Sequence, residues 1–207
     1  MVEIVTATMT GVKEGLAVKN ESTLYRIVPA PCHSKALLGM LYLFDLDGTL
    51  ISSYMDSPGR DYDRWHVLPK RREVLNNLIQ DGNDIAIVTN QGGVAFGHIT
   101  PKRVDAKLKA ALERLGLTPA RASGDAHPPQ VYVAMHDVRG KPPYNNPAEA
   151  ARRKPSPAMI LEAIEHRPLA AVSGVLYVGD RPEDEEAAKR AGVDFTYADE
   201  FFNRTAD

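Results

Sequence analysis

The chain of 207 residues is 43% hydrophobic and 25% charged, ordinary values for a folded globular protein with enough apolar material for a sizeable core. Its formal net charge of -2 excludes a whole-chain polycation that would grip nucleic acid without regard to sequence, and its single cysteine, Cys32, excludes an internal disulfide and a cysteine-rich zinc cluster. No apolar run approaches the roughly 18 residues of a membrane span, and the opening "MVEIVTATMTGVKEG" lacks the basic-then-apolar order of a signal peptide, so a cytoplasmic location is expected.

Residues 1–39 read differently from the rest. "VEIVTATM", "GLAVKN" and "TLYRIVPA" are short and β-branched, broken by Gly, Asn and Ser, and predict a small β-rich extension that ends in the connector "PAPCHS". From residue 40 to 207 the text alternates between apolar runs and amphipathic stretches. "MLYLFD", "DIAIVTN", "QVYVAMH", "GVLYVGD" and "VDFTYA" predict strands. "KRREVLNNLIQDG" predicts a helix with Val74, Leu75, Leu78 and Ile79 on one face and Gly82 as its stop. "TPKRVDAKLKAALERLG" predicts another, capped by Thr100, with Pro101 in its first turn and Gly116 at its end. "SPAMILEAIEH" and "RPEDEEAAKRAG" follow the same grammar. Strand and helix in alternation imply an α/β domain, a Rossmann-like parallel sheet with helices on both faces. Ligands of such sheets bind beyond the carboxyl ends of the strands.

That edge is where the polar residues fall. Asp45 and Asp47 end the first buried run, Thr89 and Asn90 the second, and Asp180 a later one; Lys154 precedes a predicted helix in "RRKPSP". Two acids one residue apart repel and cannot be buried without positive charge, so a cation is expected between them. Alone, Asp45 and Asp47 could be turn residues after a strand. Together the segments supply what phosphoryl transfer needs. Asp45, Asp47 and Asp180 could hold Mg²⁺ through oxygen ligands, Asp45 could attack phosphorus, and Asp47 could exchange a proton with the leaving oxygen and with water. Thr89, backbone N–H groups around Asn90, and Lys154 could hold the phosphoryl oxygens. Gly48 would allow a sharp turn beside the ligand.

"DLDGTL", "VTN", "RRKP" and "VGDRPED", in this order, resemble the four motifs of the haloacid dehalogenase-like (HAD) phosphatases, over residues 40–198. The resemblance implies Asp45 as nucleophile, Asp47 as acid/base and a Mg²⁺ ligand through its backbone oxygen, Thr89 and Lys154 as phosphate ligands, and Asp180 as a Mg²⁺ ligand. It also implies Asp184 as a partner of the metal or of Lys154. "TNQGGVAFG" and "RRKPSPAMI" are similar to the subgroup that contains histidinol-phosphate and heptose-bisphosphate phosphatases and the phosphatase half of polynucleotide kinase 3′-phosphatase. Two of these relatives usually carry a Cys/His zinc loop; here that stretch has His127 and His136 and no cysteine, so no zinc clip is expected, and GxxxxGK[ST] is absent, so no kinase half is expected.

The spacing between motifs leaves room for little or no cap. The proline-rich "HDVRGKPPYNNPAEAARRK" reads as a loop, and its excess of Arg and Lys, Arg153 among them, is a candidate grip for a second phosphate on the substrate. Trp65 and His66 read as packing residues, although an aromatic beside an open site could stack on a base. The expectation is a Mg²⁺-dependent phosphomonoesterase acting on a small phosphorylated metabolite or a nucleic-acid 3′-phosphate. The alternative is an interaction module that uses the same fold as a scaffold.

Overall fold

The computed structural model describes residues 39–56, 59, 61–117, 130–167 and 172–204. The expected β-rich extension lies outside the described residues, apart from Gly39, which opens the first strand; His127 and Cys32 also lie outside them.

The strands are β1 (Gly39–Phe44), β2 (Asp84–Asn90), β3 (Gln130–Ala134), β4 (Val172–Gly179) and β5 (Asp194–Tyr197). The helices are α1 (Arg71–Gln80), α2 (Pro101–Leu115), α3 (Pro147–Ala150), α4 (Ala158–Glu165), α5 (Pro182–Ala191) and α6 (Ala198–Arg204), with a 3-10 turn at Tyr54–Asp56. All pairings are parallel, in the order β3-β2-β1-β4-β5. The chain thus starts at the centre of the sheet, runs out through β2 and β3, then crosses back to build β4 and β5 on the other side of β1. The crevice where the direction reverses, between β1 and β4, is where an α/β sheet offers a ligand site.

Alternation along the strands produces two cores. Phe44, Ile85, Ile87 and Val178 face a layer with Val74 and Leu75 of α1, Val104 and Leu108 of α2, and Phe201 and Phe202 of α6. Leu41, Leu43, Ala86, Val88 and Tyr177 face Met159 and Ile160 of α4 and Ala187 and Ala188 of α5. Burial on both faces explains why the strands read as continuous apolar runs. Leu41 and Leu43 are fully buried, and truncating either to Ala removes about 2–5 kcal/mol.

Helix ends obey local chemistry. Thr100 accepts a hydrogen bond from the Arg103 N–H, and Gly116 closes α2 in the left-handed region. Two elements depart from the sequence expectation. The proline-rich stretch before Lys154 contains the one-turn helix α3, capped by the Asn146 side chain, and α6 follows β5 directly. Among the described residues, only the 3-10 turn and α1 lie between β1 and β2, with no separate cap domain.

Candidate active site

The turn after β1 is fixed from several sides. The Asp45 N–H donates to the Val178 carbonyl (2.9 Å), tying β1 to β4, and the Gly48 N–H donates to the Ile51 carbonyl (2.7 Å). Buried Arg71 reaches in from α1 and donates through Nε to the Thr49 carbonyl (3.0 Å). Gly48 is at φ +93, and a Cβ there would stand 2.2 Å from Asp180 Oδ2. The absent side chain therefore serves both the turn and the close approach of the β4 acid. Thr49 Oγ1 donates to the other oxygen of Asp180 (3.2 Å).

Lys154 lies at the floor of the site. Its Nζ is 2.6 Å from Asp45 Oδ1 and 2.6 Å from Asp184 Oδ1, with Tyr177 Oη at 2.8 Å and the Val88 carbonyl at 3.0 Å. The Asn90 side chain clamps the Lys154 backbone: Oδ1 accepts from the Lys154 N–H (3.0 Å) and Nδ2 donates to its carbonyl (3.1 Å). Asp184 is saturated, receiving the Tyr177 hydroxyl on one oxygen and the backbone N–H groups of Asp180 and Arg181 on the other. Burial pulls the Lys154 ammonium down, but Asp45 and Asp184 outweigh it and hold it above its ordinary value. Burial pushes the Asp45 carboxyl up; Lys154 opposes this, Asp184 and Asp180 add to it, and the result is about 7. Burial, then Asp184, also raises Asp180.

Asp47 belongs to a second network. Lys107 Nζ is 2.6 Å from its Oδ1 and 2.8 Å from its Oδ2, and Gln91 Nε2 donates to Oδ2 (2.7 Å) and to Thr89 Oγ1 (2.9 Å). A carboxylate only accepts, so the amide nitrogen of Gln91 must face it. Thr89 Oγ1 then accepts from Gln91 and keeps its own proton for another acceptor. Each of the two acids has its own lysine, Lys154 at Asp45 and Lys107 at Asp47. Lys107, Gln91 and Tyr177 were not singled out from the sequence. Lys107 had a legible signal, an ammonium at helical spacing among the apolar residues Val104, Leu108 and Ala111.

A hard cation fits the remaining donors. One carboxylate oxygen from each of Asp45, Asp180 and Asp184 lies within 4.8 Å of the others. Asp184 is already saturated, so the carboxylates open to a hard cation are those of Asp45 and Asp180, the oxygen donors such a cation takes. Burial is the first cause of the raised Asp45 and Asp180, and the negative charge of their acidic neighbours adds to it. Asp47 turns its carboxylate away to Lys107 and Gln91, so any ligand from this residue would come from its main chain.

Above this floor is a cavity of about 420 Å³, lined in part by Asp45, Asp47, Asn90, Gln91, Arg153 and Lys154. One wall is aromatic: Tyr54 stacks on Tyr62 with ring centroids 4.0 Å apart, and His98 lies parallel to Tyr62 at 6.2 Å. Trp65 is elsewhere, packed on the core and under the Arg114 guanidinium at 4.5 Å. His136 meets the Tyr144 ring at 5.3 Å.

Arg153 also lines the cavity. Its guanidinium lies against Gly92, where a Cβ would be 2.6 Å from Nη1, and Nη1 has no hydrogen-bond partner among the described residues. Asp137 stands 3.6 Å from Arg153 Nε and takes two hydrogen bonds from the Arg139 guanidinium, at 2.9 and 2.8 Å. Those bonds hold its carboxyl well below the ordinary range.

Residues 40–207 match the family model described as polynucleotide kinase 3 phosphatase. The chain is 31% identical over 150 residues to D-glycero-beta-D-manno-heptose-1,7-bisphosphate 7-phosphatase of Pseudomonas aeruginosa, covering 72% of this chain and 75% of that protein. The Rhodopseudomonas palustris protein of the same name is also 31% identical, with 72% and 77% covered. Among solved structures, D,D-heptose 1.7-bisphosphate phosphatase from B. bronchiseptica, complexed with magnesium and phosphate, superposes with a TM-score of 0.57 at 25% identity, covering 75% of this chain and 78% of that one. A HAD-like phosphatase from Mesorhizobium loti gives a TM-score of 0.57 at 28% identity, with 75% and 69% covered. No helix among the described residues is long and apolar enough to cross a membrane.

Proposed function

The chain belongs to the polynucleotide kinase 3 phosphatase family and is a phosphatase of HAD type, and on that premise we propose that it hydrolyses a phosphate monoester through a covalent phosphoryl-Asp45 intermediate. The observation that carries this reading is the Lys154 ammonium seated between Asp45 and Asp184, with Asp180 completing an oxygen cluster at the cavity floor.

Lys154 fixes Asp45 Oδ1 and leaves Oδ2 without a hydrogen-bond partner among the described residues, so Oδ2 is free to attack phosphorus. As that bond forms, the ester P–O bond breaks and Asp47, entering the step protonated on Oδ1, gives that proton to the leaving oxygen. In the second step Asp47 takes a proton from water as the water oxygen attacks phosphorus. The Asp45–phosphorus bond breaks, and inorganic phosphate and the Asp45 carboxylate result. Thr89 offers its free hydroxyl proton, and Lys154 its charge, to the phosphoryl oxygens. Asp45, Asp180 and the Asp47 main chain would hold Mg²⁺, which would supply the remaining positive charge on those oxygens.

The substrate reading we favour is a compact molecule with a second anionic group, such as a sugar bisphosphate. The unpartnered Nη1 of Arg153 beside Lys154 supports it, and so do relatives that act on a heptose bisphosphate. The aromatic wall of Tyr54, Tyr62 and His98 favours a second reading, a nucleic-acid 3′-phosphate whose terminal base stacks there. Phosphate release from sugar bisphosphates, sugar monophosphates and a 3′-phosphorylated oligonucleotide, with and without Mg²⁺, separates them by kcat/KM. Preference for a bisphosphate over its monophosphate supports the first. Preference for the oligonucleotide replaces it with the second.

A further inference from the structure

Lys107 comes from the middle of α2, outside the four segments that deliver the other polar groups. An ammonium on the buried side of a helix is costly unless paired. The Lys107 side chain is only 5% exposed, and its ion-pair partner among the described residues is Asp47, met on both oxygens. An ionised carboxylate has about four lone-pair positions. Lys107 takes one on each oxygen and Gln91 a second on Oδ2, which leaves one position on Oδ1.

We propose that Lys107 is a positioning residue that, together with Gln91, locks the Asp47 carboxyl so that only Oδ1 can exchange a proton with the leaving oxygen and then with water. This rests on the acid/base role given to Asp47 above. Lys107 meets the reaction only through the Asp47 carboxyl. Asp47 flanks the cavity on a short turn, and a carboxyl free to rotate there would present either oxygen at a varying distance from the ester. The clamp removes that freedom and ties the turn after β1 to the core helix α2.

The test uses leaving groups. A p-nitrophenolate departs without a proton, whereas an alkoxide from a sugar or alkyl phosphate needs one in the transition state. Lys107→Met keeps the apolar stem and removes the donors. The expected result is a fall in kcat/KM, which reports the steps up to departure of the leaving group, of ~10²-fold or more on an alkyl or sugar monoester but less than ~10-fold on p-nitrophenyl phosphate. In an Asp47→Asn background, Lys107→Met should cost no more than ~3-fold further. Circular dichroism and a thermal melt check the fold. Should the Met variant not fold, Lys107→Gln, which retains one donor, is put through the same pair of substrates and the same double-mutant cycle. Equal losses of kcat/KM on both esters, full additivity with Asp47→Asn, or no loss at all would overturn the proposal. Wild-type turnover with the Asp45→Asn control tests the proposed function separately, so the two failures are distinguishable.

Discussion

Lys154 Nζ stands 2.6 Å from Asp45 Oδ1 and 2.6 Å from Asp184 Oδ1, so one buried ammonium holds the end of β1 and the first turn of α5 together. Removing one member of a buried ion cluster leaves the others uncompensated, at a cost of about 3–5 kcal/mol. Lys154→Met should therefore lower the midpoint of urea unfolding by a corresponding amount in the absence of metal. It should also reduce kcat by about 10²–10³-fold, because charge on the phosphoryl oxygens is no longer offset. A variant with wild-type stability and turnover would contradict both roles.

Asp45 is raised to about 7 in the folded protein, first by burial and then by Asp184 and Asp180. An unfolded aspartate titrates near ~3.9. A raised folded value means that the fold favours the protonated acid, so this contribution is full below ~3.9 and is lost as pH rises through about 7. Asp45→Asn has no charge to lose. In metal-free buffer the variant should gain thermal stability relative to wild type between pH 5 and pH 8, and saturating Mg²⁺ should shrink that gain by favouring the wild-type carboxylate. A gap that does not depend on pH would contradict the assignment.

At Gly48, any side chain meets the Asp180 carboxylate and must also adopt φ +93. Gly48→Ala should displace Asp180 and weaken Mg²⁺ binding by ~10–100-fold, the size of effect seen when groups supporting a metal ligand are disturbed. Calorimetric titration with Mg²⁺ measures it directly; unchanged affinity would remove Asp180 from the metal site.

Asp137 braces Arg153 and is held below the ordinary carboxylate range, first by its hydrogen bonds from Arg139. A depressed value means stability that is present above ~3.9 and lost as pH falls below it. Asp137→Asn should flatten the loss of melting temperature between pH 5 and pH 3. It should also raise KM for a bisphosphate while leaving KM for the matching monophosphate unchanged. Equal changes on both substrates would detach Arg153 from a second anionic group.

The strands and the four longer helices were legible because each carries its own periodicity and caps; "DIAIVTN" coincides with β2 residue for residue. The one-turn α3 was hidden in a proline-rich stretch, since a helix that short buries no apolar face to mark it. Asp45 and Asp180 stood out because chemistry-bearing residues at strand ends form a local pattern, and Lys154 because it precedes a helix in "RRKPSP". The Asn90 clamp on the Lys154 backbone joins residues 64 positions apart, and Gln91 and Lys107 meet Asp47 across 44 and 60. Such pairings depend on which way the crossovers run, and no local spacing encodes that. Trp65 read as a packing residue and packs on the core, whereas the cavity aromatics Tyr54, Tyr62, Phe96 and His98 come from two segments that meet only in the fold.

The central claim is the covalent phosphoryl-Asp45 intermediate, and rapid quenching into borohydride during turnover with Mg²⁺ tests it most directly. Hydride reduces an acyl phosphate to an alcohol and leaves a free carboxylate untouched, so peptide mass spectrometry should find homoserine in place of Asp45, in amounts that rise to a steady level with substrate. Sustained phosphate release with Asp45 unreduced at every quench time, or turnover that survives Asp45→Asn, would contradict it.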